Sequence, residues 1–202
     1  MADFRAIRGV TEAVVHLLRT SYDSADFDNE LEFRVYTARD FSNPISNGVS
    51  LFLYRVYGFG TQRMPPGRLA PNGERMQTEL PLELHFLLTF WGREASLQHT
   101  IAGWAMRMLE DAPVIPSGVL NTVASGIFHD DESIQICLAE LRTEDLFRIW
   151  DVLDVDIYQL SVPYLARVVS IESVHRNRAV EGGAVQDRTL QAAVMAKTGL
   201  VS

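Results

Sequence analysis

The feature of this sequence that most limits its fold is a long alternating run at positions 80–91, LPLELHFLLTFW. Leucine or phenylalanine occupies every even-numbered position of the run, and the odd-numbered positions mix polar and apolar residues. A period of two predicts a β-strand, because successive side chains of a strand point to opposite faces of its sheet. The run is longer than a typical strand of about five or six residues. We therefore expect a long strand that bends or passes between subunits.

Four further segments have the composition or alternation of strands: residues 31–37, 49–59, 133–140 and 160–172. The second of these is apolar on both faces apart from Arg55, which favours a central position in a sheet. Pro163 interrupts the last one and has no backbone N–H, so this stretch should lie at a sheet edge or at the start of the strand.

Apolar stripes with helical spacing predict helices at about residues 3–20 and 94–110, and a short helix that Thr143 can cap. Residues 117–131 show no clear period. Three tryptophans fall within apolar stripes, and we expect them to be core residues: Trp91, Trp104 and Trp150. The order of elements predicts a mixed β-sheet packed by helices, an α/β (α+β) fold.

Length and composition fit one globular domain. The chain has 202 residues, 47% of them hydrophobic. We assign residues 1–172 to this domain and residues 173–202, which contain few large side chains, to a C-terminal tail. Cys137 is the only cysteine, so an intrachain disulfide is impossible.

Charge and hydropathy exclude several classes of partner. A formal net charge of -8 and the absence of a basic run argue against binding to nucleic acid. The N-terminus is charged where a signal peptide is apolar, and there is no run of about 18 apolar residues that would cross a membrane. These features predict a soluble protein made in the cytoplasm.

Two acidic groups resemble metal sites but lack the required spacing. Residues 129–132, HDDE, are adjacent in sequence, so their side chains point apart, and we interpret them as a solvated turn. Asp151, Asp154 and Asp156 resemble the spacing of a calcium loop, but no central glycine follows, and a charged helix end explains them better. We predict neither a metal nor a cofactor.

The remaining candidates for chemistry are isolated residues. Gly58 and Gly60 flank a turn without a phosphate-loop motif, and neither Ser117 nor Ser125 lies in a nucleophile elbow. Cys137 fits a small buried residue in a strand, and His85 fits a packing or hydrogen-bonding residue rather than a base. The sequence therefore predicts a protein that is not an enzyme.

The features that remain are those of an assembling protein. Long apolar strands, a Pro- and Gly-rich loop at residues 59–79 and an extended tail are means by which subunits join one another. Arg63, Arg68 and Arg75 on this loop are our candidate interface residues, since guanidinium groups pair well with carboxylates of a neighbour. A homo-oligomer is the hypothesis.

Six segments in a fixed order resemble a known family. They are FRAIRGVTEAVVHLLR, VSLFLYRV, LPLELHFLLTFWG, IAGWAMRMLEDAPVIP, LRTEDLFRIWDVL and YQLSVPYLARVVSIES, and they cover about residues 3–172. Together they resemble the Pvc-type cap, or tail-terminator, proteins of extracellular contractile injection systems. The resemblance rests on the ordered set, because no single motif is decisive.

The resemblance implies a structural function without catalytic residues. Members are expected to share the tail-terminator fold and to form a hexameric ring on the inner tube and sheath, which ends polymerisation and anchors the sheath. Expected partners are further copies of the chain, the inner tube protein and the sheath protein, with no nucleic acid and no membrane. Residues 173–202 lie outside the resemblance and are a candidate arm for the sheath or a neighbour. The chain is expected to be part of a particle that is assembled in the cytoplasm and is then either released from the cell or retained in it.

Two alternatives remain open from the sequence. The protein could be a baseplate or tube-initiating adaptor of the same particle, or a small α/β protein that binds a ligand. The missing phosphate loop and the missing acid–base set count against the second alternative.

Overall fold

One mixed sheet organises the chain in a computed structural model that describes residues 2–27, 30–59, 79–123, 125–153 and 158–172. Its strands are β1 (Glu32–Tyr36), β2 (Gly48–Gly58), β3 (Glu79–Trp91), β4 (Val114–Pro116), β5 (Ser133–Leu138) and β6 (Ser161–Glu172). The strand order is β1-β2-β3-β6-β5-β4. β1 runs parallel to β2, and all other pairs are antiparallel.

Four α-helices accompany the sheet: α1 (Ala6–Ser21), α2 (Ala95–Asp111), α3 (Ser117–Val123) and α4 (Thr143–Val152). Two short 3-10 helices span Ser24–Asp26 and Ala38–Ser42. The predicted mixed sheet with flanking helices is therefore confirmed. None of the helices in the described ranges is long and apolar enough to cross a membrane.

The long alternating run forms the centre of the sheet, as β3. It pairs with β2 on one side and with β6 on the other, over nearly its whole length. A register shift in each pairing, near Leu53 of β2 and near Leu82 of β3, lets these long strands bend. Residues of β3 are buried on both faces of the sheet, which explains why the run carries apolar side chains at odd as well as even positions.

One face of the sheet, here called the helical face, carries the main core. Phe86, Leu88 and Phe90 of β3 point to this face and are almost fully buried. They belong to one apolar cluster with the inner stripes of α1 and α2, and α3 packs against α1. The predicted stripes of both long helices are thus core residues.

On the opposite face, here called the second face, the described residues form a core at one end. This core is a smaller cluster of residues from the sheet, the 3-10 helix Ala38–Ser42 and the chain around α4: Tyr36, Phe41, Ile45, Leu87, Trp91, Trp150 and Leu153. Trp91 and Trp150 are buried here, and Trp104 packs against the main core. The expectation that the tryptophans are core residues is confirmed.

A glycine fixes the junction of β1 and β2. Gly48 has a φ of 136°, a conformation that residues with a side chain rarely adopt. A Cβ atom at this position would overlap the backbone carbonyl of Glu32. Glycine is therefore needed where β2 starts alongside β1.

Several local predictions were wrong. Residues 117–131, where the sequence shows no clear period, begin with α3, and β4 just before them was not predicted. Arg142 rather than Thr143 is the cap residue of α4, and no side chain caps this helix by a hydrogen bond. Cys137 is half-buried rather than buried.

Pro163 lies in an internal strand, because β6 sits between β3 and β5. It is nevertheless near the start of β6, and β5 pairs only with residues 164–167. The Pro163 carbonyl accepts a hydrogen bond from the Ala139 N–H, just beyond the last residue of β5. The missing N–H would therefore face Ala139, one residue beyond β5, so the pairing of β5 with residues 164–167 is not interrupted.

Candidate assembly surfaces

The acidic turn at residues 129–132 serves the backbone. The Glu132 carboxylate accepts hydrogen bonds from the backbone N–H of Ala2, at 3.0 Å, and of His129, at 2.8 Å. His129, Asp130 and Asp131 are exposed. In the part of the chain that the structure describes, no group of three or more His, Cys, Asp or Glu residues is arranged to hold a metal ion.

His85 is held by aromatic rings on the second face. Its ring centroid lies 5.5 Å from that of Tyr57 and 6.2 Å from that of Tyr54, both on β2. Nε2 is 3.9 Å from a Glu83 carboxylate oxygen and has no hydrogen-bond partner among the described residues. Burial lowers the pKa of His85 despite the attraction of Glu83. His85 therefore acts as a packing residue, one of the two structural roles that the sequence suggested.

The other isolated candidates also have structural surroundings. Cys137 is paired across the sheet with Leu165 of β6, an apolar residue. The Ser117 hydroxyl donates to the Asp130 carbonyl, at 2.9 Å, and ties α3 to the acidic turn. These contacts give both residues a structural role that involves no catalysis.

Part of the sequence prediction lies outside the described residues. This applies to the candidate interface residues Arg63, Arg68 and Arg75, to Asp154 and Asp156, and to the tail at 173–202. The assignment of these arginines to an interface stays a prediction. So does the division of the chain at residue 172.

An apolar groove of about 280 Å³ runs between α4 and β2 on the second face. Its walls are Ala38, Phe52, Tyr54, Arg148, Ile149, Val152 and Leu153. Val152 is the most exposed large apolar side chain of the described residues, at 84%. Sequence analysis did not predict this groove, because Val152 lies beside the apolar stripe of α4 and Tyr54 on the other wall is distant in sequence.

The rim of the groove is rich in arginine. The Asp145 carboxylate is 2.9 Å from Arg142 and 3.6 Å from Arg148. Hydrogen bonds from Arg142 lower the pKa of Asp145, and the charges of Arg148 and Arg55 add to this effect. Several guanidinium groups therefore share one carboxylate at this rim.

Next to the groove, β1 does not extend along the whole edge of β2. β1 pairs only with residues 48–52 of β2, so within the described chain residues 53–58 have no strand on that side. Arg55 on this half of β2 stacks over the Tyr57 ring, 3.6 Å from its centroid. This free strand edge continues the groove.

The other edge of the sheet is acidic. β4 is the outermost strand, and its Val114 side chain is 51% exposed. Five carboxylates flank its two ends in sequence or through the turn that bonds to Ser117: Glu110, Asp111, Asp130, Asp131 and Glu132. Arg107 forms an ion pair with Asp111 and so compensates the charge of one of these five carboxylates.

Comparisons with known proteins agree with the fold described above. A search of curated proteins gave no match. The chain is similar to a chain in the structure of the sheath/tube terminator of PVC, an extracellular contractile injection system, in its extended state. The identity is 15% and the TM-score 0.52, over 96% of this chain and 71% of the other. It is also similar to the tube-terminating cap of the anti-feeding prophage, with 14% identity and a TM-score of 0.57 over 93% of this chain and 69% of the other.

At these identities the two solved structures demonstrate a shared fold. The sequence itself gives the family, because the model of the Pvc16 N-terminal domain matches residues 9–182. The match covers most of the chain, including all six strands, the helices α2, α3 and α4 and most of α1. The chain therefore belongs to the Pvc16 N-terminal domain family.

Proposed function

We propose that this chain is a structural cap of a contractile injection system. In this proposal, six copies form a ring on the distal end of the inner tube and sheath, end polymerisation and anchor the sheath. The observation that carries the proposal is the shared fold, over 96% and 93% of the chain, with two proteins described as a sheath/tube terminator and a tube-terminating cap. Membership of the Pvc16 N-terminal domain family supports it.

The surfaces of the chain suit such a role. A terminator must contact its neighbours in a closed ring, bind the last layer of the tube and leave no surface for a further layer. In the part of the chain that the structure describes, the second face has an apolar groove next to an unpaired stretch of β2, whereas the helical face is occupied by its own core. This asymmetry is what a protein with a dedicated binding side requires.

A non-enzymatic role accounts for the polar residues described above. The acidic turn, His85 and Ser117 each have structural partners among the described residues. The proposed partners are further copies of the chain, the inner tube protein and the sheath protein. Assembly is proposed to take place in the cytoplasm, on a particle that acts outside the cell.

Electron microscopy of particles from cells that lack the gene tests the proposal. A terminator predicts overlong or ragged tubes whose sheath is not anchored, and normal length after the gene is restored. Complete absence of tubes would instead indicate a baseplate or tube-initiating role. Particles of normal length and normal sheath would contradict the cap function.

A further inference from the structure

We propose that the groove between α4 and β2 of one copy receives the β4 edge of the next copy, head to tail around the ring. The inference rests on the proposed function, which requires a ring, and it identifies the surfaces that close it. The occupant of the groove is thus a second copy of this chain.

The groove is built for an apolar insertion. Phe52, Tyr54 and Ile149 line it, and Val152 stands on its open side with 84% of its side chain exposed. An isolated exposed valine is ordinary, but one beside an apolar groove of about 280 Å³ marks a contact surface.

Two further arginines lie near the groove, and the charge of one of them, Arg55, also acts on Asp145. Arg39 follows Ala38 of the groove wall, and Arg55 follows Tyr54. Within the described residues neither makes an ion pair, and Arg55 lies over the Tyr57 ring instead. Both groups are exposed and available to carboxylates of a neighbour.

The β4 edge has the complementary properties. Val114 projects from the outermost strand with 51% of its side chain exposed. Asp130 and Asp131 are exposed in the turn that follows α3, and Glu110 is exposed at the end of α2. In the described chain none of these three carboxylates makes an ion pair. An apolar side chain flanked by free carboxylates matches an apolar groove flanked by free guanidinium groups.

The two surfaces lie on opposite sides of the subunit. β1 and β2 end the sheet on one side, and β4 ends it on the other. At about 4.8 Å between strands, the path along the sheet from β1 to β4 is about 24 Å long. A closed ring needs a heterologous contact, in which two different surfaces of each copy meet, and this arrangement supplies them.

Cross-linking tests the contact directly. Val152→Cys and Val114→Cys are combined in a Cys137→Ala background, expressed with the other particle proteins and treated with a short bis-maleimide. Both valines are exposed, so the fold should tolerate the changes, and melting temperatures check this. We expect a ladder of covalent multimers up to a hexamer, and no multimers from either single cysteine. The matched control is Val152→Cys with Thr100→Cys, since Thr100 is exposed on α2, which covers the helical face.

Three outcomes would overturn the contact. The double variant could remain monomeric, Val152→Cys alone could give dimers, or it could be cross-linked only to a tube or sheath protein. A monomeric double variant would show that Val152 and Val114 of neighbouring copies are not close together. Dimers from Val152→Cys alone would imply a symmetric contact. Cross-links to a tube or sheath protein alone would give the groove another occupant.

Charge reversal provides a second, independent test. Arg39→Glu with Arg55→Glu, or Asp130→Arg with Asp131→Arg, should each lower the cross-linking yield about tenfold, as expected for the loss of a close charge pair. All four substitutions in one chain restore opposite charges and should recover the yield to within about twofold. If the fourfold variant recovers nothing, the proposed pairing is wrong.

The particle-length measurement separates this inference from the cap function. Overlong particles in the deletion strain together with a missing ladder would leave the cap function intact and reject the groove contact. Normal particles in the deletion strain would reject the cap function itself, and a ladder would then describe a ring of another purpose.

Discussion

The two faces of the sheet are built from the same strands and yet differ in what covers them. Among the described residues, α1 and α2 cover the helical face over one continuous core, whereas α4 and the 3-10 helix Ala38–Ser42 cover the second face only at one end. Along β3 the odd-numbered positions change from buried Leu87 and Trp91 to half-buried Glu83 and His85. The difference separates a face that holds the fold together from a face with surface left for partners.

The largest expected effect concerns the helical face. Phe86 is almost fully buried and stacks on Tyr164, with ring centroids 6.0 Å apart. Phe86→Ala should lower the free energy of unfolding by about 3 to 5 kcal/mol, because it removes buried apolar surface and leaves a cavity. Tyr57→Ala on the second face is the control and should cost less than about 1 kcal/mol. Equal losses in urea denaturation would contradict the proposed difference between the faces.

A pH effect sharpens the description of the same core. Tyr164 is fully buried, its hydroxyl has no hydrogen-bond partner among the described residues, and burial raises its pKa to about 12. The pKa in the folded state exceeds the unfolded value of 10.0, so stability is full below pH 10 and is lost as the pH rises towards 12. The loss should reach roughly 2 kcal/mol at pH 12.

Tyr164→Phe is the control for this alkaline loss. It should remove that part of the pH dependence, and at neutral pH it should match or exceed the wild type in stability, since an unpaired buried hydroxyl is costly. Buried Tyr36 and half-buried Tyr54 titrate in the same direction but remain in both proteins. Identical alkaline curves for the two proteins would refute the assignment to Tyr164.

The covered end of the second face predicts a smaller effect. The indole N–H of Trp91 donates to the Ser50 hydroxyl at 2.8 Å, and both groups are buried. Ser50→Ala should cost about 1.5 kcal/mol because it leaves a buried donor unpaired. Ser50→Thr keeps the hydroxyl and serves as the comparison. If Ser50→Ala leaves the melting temperature unchanged, the hydrogen bond at this end of the second face does not stabilise the fold.

The smallest effect on stability is expected at the groove. Val152→Ser should change the free energy of unfolding by less than about 0.5 kcal/mol, because the side chain is 84% exposed. Its effect should instead appear in ring formation, measured by cross-linking or by the fraction of capped particles. A clear loss of stability with normal capping would assign Val152 to the fold and not to assembly.

Much of the fold could be predicted because each long element carries a local period. The stripe of Val10, Val14 and Leu18 and the alternation in β3 depend on neighbours in sequence, and both were found. β4 and α3 were missed because elements of three and seven residues are too short to show a period. Strand order was beyond prediction as well, since β6 enters between β3 and β5.

The candidate surfaces were harder to predict for the same reason. The groove brings Tyr54 together with Ile149 and Val152, which only the tertiary fold does. Val152 alone looks like an ordinary helix-end residue. The proposed surface residues Arg63, Arg68 and Arg75 lie outside the described chain, and their role stays a prediction.

The location of the chain on the particle tests the cap function most directly. Purified particles are labelled with a gold-conjugated antibody against the chain and scored by electron microscopy. The account predicts label at one end of each particle, opposite the baseplate, in both extended and contracted particles. Label along the sheath or at the baseplate end would contradict it.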